Sequence, residues 1–489
     1  MEKRLNQSIV FLKQRHNQCL PIGRLSDEIL LAILQYCVGQ TKPVRPSYYS
    51  SRITYQARSL PAAFVCCSRW RSLAIRSPSL WATIGLPSPP KLFQLLRDRS
   101  GTSSLTVIAS NDHYAKKDAI MDFIADPLRQ LVPRIARLEM AWEKNADDPD
   151  GLNGFLSTYI GGKEFSNLRA LDLTDLRNGP EPSVTLNAPG LRSFRYRGEL
   201  RHLPKVEAAR LVDLHLVWQH MTLPEILKVL SRFPNLKNCT IDQSGCTLKE
   251  PVVHATRSKV ALGRMRSFDA KTFYTSDMIY LFEHLELPDS ASVSLEIHSE
   301  RTEEGSPLID LLGPQIALAD GIKISGDHSM EIKYTLLRTS SGQFQVVHQK
   351  SSNVIFESPS NLADYPSSLS SLEFHVRRLP SMQDLITILT YWSSLTHIRV
   401  CTEELSFEKL LTALEETPQT VCPELQSLDC TGTKFSGPRM RVWLAFRKQR
   451  GVGLKELTVT KGFAEPKLDD INDLVEMFFE EPPERGRAF

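Results

Sequence analysis

Apolar residues recur at helical spacing in the N-terminal part of the chain and at strand spacing beyond it, and this change of period divides the sequence. Leu5, Ile9, Leu12 and His16 mark a short amphipathic helix over residues 1–19. A sharper stripe follows, in which Ile29, Leu30, Ile33, Leu34 and Cys37 succeed Ser26 as N-cap and Asp27 and Glu28 at the positive helix end. Residues 38–59 hold Pro43, Pro46 and several serines and read as an exposed loop. A further helix is expected from Leu60-Pro61, because proline suits a first turn and Ala63, Cys66, Cys67, Trp70, Leu73 and Ala74 follow at steps of three and four. Pro78 ends it, Trp81 follows, and Pro87-Ser88-Pro89-Pro90 is a stiff break.

From about residue 135 a frame of type L-x-x-L-x-L recurs. It reads IARLEM from Ile135, LRALDL from Leu168, LRSFRY from Leu191, LVDLHL from Leu211, LKNCTI from Leu236 and, degenerate, MRSFDA from Met265. It returns as LSSLEF from Leu369, LTHIRV from Leu395, LQSLDC from Leu425 and LKELTV from Leu454. From Leu168 to Met265 and from Leu369 to Leu454 the starts lie 20 to 30 residues apart, at or just past the spacing of repeats that pair a short strand with a helical or irregular return. LPEILKVLSRF, MQDLITILTYW and FEKLLTALEET supply helical stripes for such returns. One such unit cannot bury its own apolar face, so the pattern predicts stacking into a solenoid. The fold class expected is therefore mixed α/β, a small all-helical module followed by an α/β repeat domain.

Between residues 275 and 368 the frame fails, and SVSLEIH, EIKYTLL, QFQVVH and NVIFE read as strands, with RTSSG as a hairpin connection between the middle two. This segment is either a β-rich insertion or a set of eroded repeats. Near the C-terminus, Ile471, Leu474, Val475 and Phe478 predict an acidic helix with a polar tail. The organisation expected is a helical lead-in (1–19), a helical module (20–84), a linker and helical connection (85–134), a repeat domain (135–461), and a terminal helix and tail (462–489).

Composition narrows the function classes. The 489 residues are 41% hydrophobic and 24% charged, ordinary globular usage, and the formal charge of +3 gives no strong field for nucleic acid or a membrane surface. The opening MEKRLNQSIVFLKQRHNQ lacks the uninterrupted apolar core of a signal peptide, and no apolar run approaches the roughly 18 residues of a membrane span, which points to the cytosol or nucleus. Nine cysteines, scattered and odd in number, read as reduced thiols. Cys66 and Cys67 are adjacent, Cys239 and Cys246 lie too far apart for a knuckle, and His215 and His220 are five apart, so no metal or other cofactor is expected. No phosphate-binding loop, nucleophile elbow or zinc-hydrolase helix occurs. Cys401 beside Glu403 and Glu404 is discouraged from ionising. No catalytic residue is nominated, and the chain is expected not to be an enzyme.

Residues 20–84 resemble the F-box, in particular the F-box-like modules common in proteins of mushroom-forming fungi. The matching segments are LPIGRLSDEILLAILQYC and LPAAFVCCSRWRSLAIRSPSLWATI, with Cys67, Trp70, Arg71, Ala74, Pro78, Leu80 and Trp81 in register. Ser26 stands where a proline is frequent, and serine caps the helix instead. The resemblance implies docking on a Skp-family adaptor, and through it on a cullin-RING ubiquitin ligase of the SCF type. The adaptor-facing set it implies is Leu25, Ile29, Leu30, Ile33, Leu34, Cys67, Trp70, Leu73, Pro78 and Trp81. The competing reading is that these side chains are simply local core. The repeat region is similar to the leucine-rich repeats that often follow an F-box, which implies a substrate-binding arc for an unknown protein. A rival from another class is an interaction scaffold that binds the adaptor without ubiquitin transfer, and a third is a repeat enzyme with an unrecognised site.

Strand alternation places the substrate face. In L-x-x-L-x-L-x the leucines point inward, and positions three, five and seven point the other way. That rule nominates Asp172, Arg195, Arg197, His215, Asp269, Lys271, Glu373, His375, Arg399 and Asp429, with Arg195 and Arg197 foremost because arginine grips a carboxylate or phosphate with two parallel hydrogen bonds.

Overall fold

Most frames begin with the same backbone capture, which turns the sequence repeat into a structural one. The N–H of Leu168, Leu191, Leu211, Leu236, Met265, Leu395 and Leu425 each donates to the carbonyl three residues earlier, closing a turn. The N–H of the next residue then reaches the neighbouring frame, as in Arg192 to Arg169, Val212 to Arg192, Gln426 to Thr396 and Lys455 to Gln426. Each frame is thereby delivered to the sheet in one fixed register, and all ten become strands. The computed structural model describes residues 2–40, 67–111, 121–142, 151–175, 185–217, 222–243, 259–298, 307–326, 331–338, 343–349, 369–416, 420–464 and 473–482. The protein is mixed α/β with a large share of parallel sheet, and it divides into two units, Met1–Met221 with Gly245–Lys249 and Thr222–Ser244 with Glu250–Phe489.

The first unit opens with helices Glu2–Cys19, Asp27–Gln40 and Ser68–Arg76 and short 3-10 turns at Pro21–Arg24 and Pro78–Trp81. Its strands are β1 (Thr83–Leu86), β2 (Leu105–Ser110), β3 (Ile135–Trp142), β4 (Ala170–Asp175), β5 (Thr185–Asn187), β6 (Ser193–Arg197), β7 (Lys205–Glu207) and β8 (Asp213–Val217). The main sheet runs β1-β2-β3-β4-β6-β8, all parallel, and β5 pairs with β7 in a small parallel sheet of its own. The leucine positions Leu171, Leu173, Phe194, Tyr196, Leu214 and Leu216 are buried, while alternate residues are only half-buried, as strand alternation requires.

The second unit contains β9 (Asn238–Asp242), β10 (Val260–Ala261), β11 (Ser267–Tyr274), β12 (Leu285–Glu286), β13 (Ser292–His298), β14 (Gly321–Gly326), β15 (Glu331–Leu337), β16 (Gln343–Gln349), β17 (Ser371–His375), β18 (His397–Cys401), β19 (Ser427–Asp429), β20 (Glu456–Thr460) and β21 (Met477–Glu481). The sheet order is β9-β11-β13-β16-β15-β14-β17-β18-β19-β20-β21. Among the described residues only the pairings of β15 are antiparallel. Return helices start where capping predicts: Thr222 and Glu225 form a capping box for Leu223–Ser231, and Ser381 accepts from Asp384 N at 3.2 Å to cap Met382–Tyr391. Buried threonines tie the strand exits together, since Thr402 N donates to Thr433 Oγ1 (3.0 Å) and Gly432 N to Thr460 Oγ1 (2.8 Å).

Several expectations need correction. Residues 85–134, expected as a linker and helical connection, do carry helices Pro90–Arg99 and Asp126–Leu131, but β1 and β2 bring the start of this stretch into the parallel sheet; their sequences TIGL and LTVIAS lack the leucine frame, and β2 is buried nearly throughout. The strands described within 275–368 belong to the sheet. SVSLEIH, EIKYTLL and QFQVVH are strands and the middle hairpin is antiparallel, but helices Thr275–His284 and Pro307–Ile316 and strand β14 went unread; NVIFE lies outside the described residues. The acidic C-terminal segment forms β21, not a helix, because β20 offers a backbone partner and sheet pairing overrides helical spacing at Phe478. Pro61 and the expected start of the second module helix fall outside the described residues, and the helix begins at Ser68.

Candidate functional site

The helical module encloses a small core of Leu30, Leu34, Trp70, Leu73, Ala74, Leu80 and Trp81, with Leu25, Leu31, Ile33, Cys67 and Leu96 packed around it. Two devices fix it. The Trp81 indole donates to the Ala74 carbonyl at 2.7 Å. Arg69 donates to the carbonyls of Gly23 and Leu25 (both 2.7 Å) and to Asp27 Oδ1 (2.7 and 3.0 Å), clamping the entry turn and the next helix start onto Ser68–Arg76. The N-cap at Ser26 is long, with Ile29 N donating to Ser26 Oγ at 3.5 Å. The same hydroxyl, with Glu28's own N–H, holds the exposed Glu28 carboxyl below its ordinary range.

The stripe over Ile29 to Cys37 proves to be two faces. Leu30 and Leu34 point into the module core, whereas Ile29 is 50% exposed and Tyr36, seven residues on along the same face, is 69% exposed. Ile33 lies between them and is half-buried. Of the residues nominated for the adaptor, Leu30, Leu34, Trp70, Leu73 and Trp81 are local core, Leu25, Ile33 and Cys67 are half-buried against it, and Ile29 and Pro78 are exposed. Exposed Leu20 and Ile22 were not nominated, and neither was Arg69. The pair Asp27 and Arg69 carried no spacing signal for the clamp, because it spans residues from two different helices.

All ten residues nominated for the substrate face are half-buried, opposite the leucine side. In the first unit Glu139, Asp172, Arg195 and His215 stand side by side on β3, β4, β6 and β8, with Arg197 one pleat further along. Arg137 pairs with Glu139 at 2.7 Å, and Asp172, Arg197 and His215 each have an interaction of their own. Among the described residues the Arg195 guanidinium has no ion pair. Arg137 and Glu139 were not nominated, although they occupy positions three and five of the frame IARLEM.

In the second unit the same face carries one continuous row across the antiparallel hairpin: Thr240, Asp269, Ser294, Gln345, Thr335, Lys323, Glu373, Arg399, Asp429 and Thr458. Its charges alternate and pair. Lys323 Nζ is 3.1 Å from Glu373, Arg399 Nε is 3.1 Å from Asp429 without hydrogen-bond alignment, and Lys271 Nζ is 3.4 Å from Asp269. Opposite charges on neighbouring strands contribute roughly 0.2–1 kcal/mol each, so this row stabilises the sheet while offering little uncompensated charge to a ligand. Lys323 was missed because GIKISG lacks the leucine frame.

His375 lies 3.4 Å from Glu373, and burial first, then Lys323 and Arg399, lower its pKa; Glu373 acts against them. A histidine held neutral in the folded state binds fewer protons than the unfolded chain, so its contribution is complete above its ordinary pKa of about 6.5 and is lost as pH falls through the lower folded value. The second unit is therefore expected to lose stability on acidification below about pH 6.5, and His375→Gln to flatten that part of the curve in urea unfolding. An unchanged slope in the variant would show that His375 does not set it.

Chemistry elsewhere is quiet. Burial pushes the thiols of Cys239 and Cys422 up to about 12, leaving them protonated at neutral pH. No group of three or more His, Cys, Asp or Glu side chains among the described residues could hold a metal, and no helix among them is long and apolar enough to cross a membrane. No protein-family model matches the chain, and no curated protein matches it in sequence.

Proposed function

We propose that this chain is an F-box protein, a substrate-recognition subunit that docks on a Skp-family adaptor through residues 20–84 and holds a substrate protein on leucine-rich repeats. The observation that carries the reading is the module itself: Trp70, Ala74, Leu80 and Trp81, which match the F-box pattern, close a helical core with Leu30 and Leu34, while Leu20, Ile22, Ile29 and Tyr36 remain exposed. A module this small buries too little of its own apolar surface, and a patch of large side chains left at a surface marks an interaction site.

The test is reconstitution from purified components. The full chain should be retained with cullin only when the adaptor is present, and Ile29→Asp should abolish retention, since burying one large apolar side chain is worth about 1.5–3 kcal/mol and burying a charge costs more. Retention of the adaptor without cullin would favour the scaffold reading instead.

For the repeats, Arg195 is the best substrate contact, as the nominated cation with no ion pair of its own. Arg195→Gln/Arg197→Gln is expected to leave adaptor retention unchanged while removing a subset of proteins that co-purify with the chain. Loss of adaptor retention in this variant, or an unaltered set of partners, would remove these arginines from the recognition surface.

A further inference from the structure

The helix Glu2–Cys19 is unusual in that no side chain described on it is buried. An isolated helix of this length is marginal in water, because a costly nucleus is repaid only slowly without tertiary packing. Yet it carries a seam. Leu5 (61% exposed), Ile9 and Leu12 (65% exposed) recur at i, i+4 and i+7, and the next turns add His16 and Cys19. Arg4 and Arg15 border the seam on one side and Lys13 on the other, with Glu2 the helix's one acidic residue. Phe11 lies off the seam beneath the Arg15 guanidinium, 5.3 Å from the ring centre. The helix is followed by the Pro21–Arg24 turn, and Leu20 and Ile22 there, like Ile29 beyond them, are exposed.

We infer that this helix is a second docking element for the adaptor, its leucine seam seated in an apolar groove rimmed by carboxylates. The inference rests on the adaptor reading above. Width and charge select the occupant. A seam of three large side chains, with Val10 and Phe11 pointing elsewhere, is the narrow stripe of a helix packed in a protein groove. A lipid surface favours a broad apolar face opposite a polar face rich in Lys and Arg, and here the cations flank the seam instead. A second copy would set basic flank against basic flank with only Glu2 to offset them.

The experiment titrates the full chain with a purified Skp-family adaptor by calorimetry at low and high salt. Leu5→Gln/Leu12→Gln preserves charge and helix propensity and removes no buried contact, and it should weaken binding by about tenfold or more. Arg4→Gln/Lys13→Gln/Arg15→Gln should weaken it at low salt and flatten the salt dependence. Adaptor affinity unchanged in both variants, while Ile29→Asp abolishes it, overturns the second docking element and leaves the F-box reading standing. No adaptor binding by the unaltered chain overturns both. Seam-dependent binding to phosphatidylcholine–phosphatidylserine vesicles, or seam-dependent self-association in sedimentation, with adaptor affinity untouched, assigns the helix to that occupant and overturns the proposal.

Discussion

Replacing Arg447 with methionine is expected to destabilise the second unit by about 3 kcal/mol, one of the largest single-residue effects in the chain. Arg447 is 0% exposed. Among the described residues no carboxylate pairs with its charge; Nε donates to the Val452 carbonyl (3.2 Å), Nη1 to Val421 (3.3 Å) and Nη2 to Cys422 (3.0 Å). Burial lowers its pKa, and a guanidinium stays charged in proteins. Its fork gathers the turn that precedes β19, where Cys422 holds a left-handed φ of 47° and its thiol donates to Leu389 O at 3.2 Å. Methionine fills similar space but leaves the Val421 and Val452 carbonyls without this donor and the Cys422 carbonyl with only the Leu425 N–H, at about 1–3 kcal/mol for each unsatisfied group, less the relief of no longer burying a cation. Fluorescence of the buried Trp392 and Trp443 during urea unfolding reads the change. A midpoint lowered by roughly 1 M or more is expected, and an unmoved midpoint would contradict the role assigned to the clamp.

Trp81→Ala is expected to cost about 3–5 kcal/mol and to melt the helical module. The indole fills the module core and carries its one buried indole-to-carbonyl tie, to Ala74. Trp81→Phe should recover most of the packing and forfeit only the hydrogen bond, about 1 kcal/mol. Ile29→Asp changes an exposed position and should alter stability by no more than about 0.5 kcal/mol. Hydrogen exchange over residues 67–81 separates the two: protection lost in Trp81→Ala and retained in Ile29→Asp. Protection lost in both would mean that Ile29 belongs to the core and that its effect on the adaptor is indirect.

The leucine frame made most of the sheet legible, because an alternating pattern with a fixed lead-in leaves little freedom in register. Leu171 and Leu173 went inward and Asp172 outward without any tertiary information. What escaped lacked the frame: β1, β2 and β14 are short apolar strands without the leucine spacing, and β21 has helical spacing but lies beside a strand that needed a partner. The candidate site was half-legible for a similar reason. Helical spacing showed that Ile29, Leu30, Ile33 and Leu34 were apolar together, but only the position of Trp70 and Trp81 decides which two face inward. On the repeat face the rule placed the nominated residues opposite the leucines, yet the pairing of Lys323 with Glu373 and Arg399 with Asp429 depends on strand order, which a segment with no frame concealed.

The central claim is that the exposed patch of the module is an adaptor-docking surface, and a mass measurement tests it most directly. The full chain mixed with an equimolar Skp-family adaptor should elute in size-exclusion chromatography with light scattering as a single one-to-one complex, and the Ile29→Asp chain, equally folded, should elute apart from it. Two unshifted peaks for the unaltered chain would contradict the account.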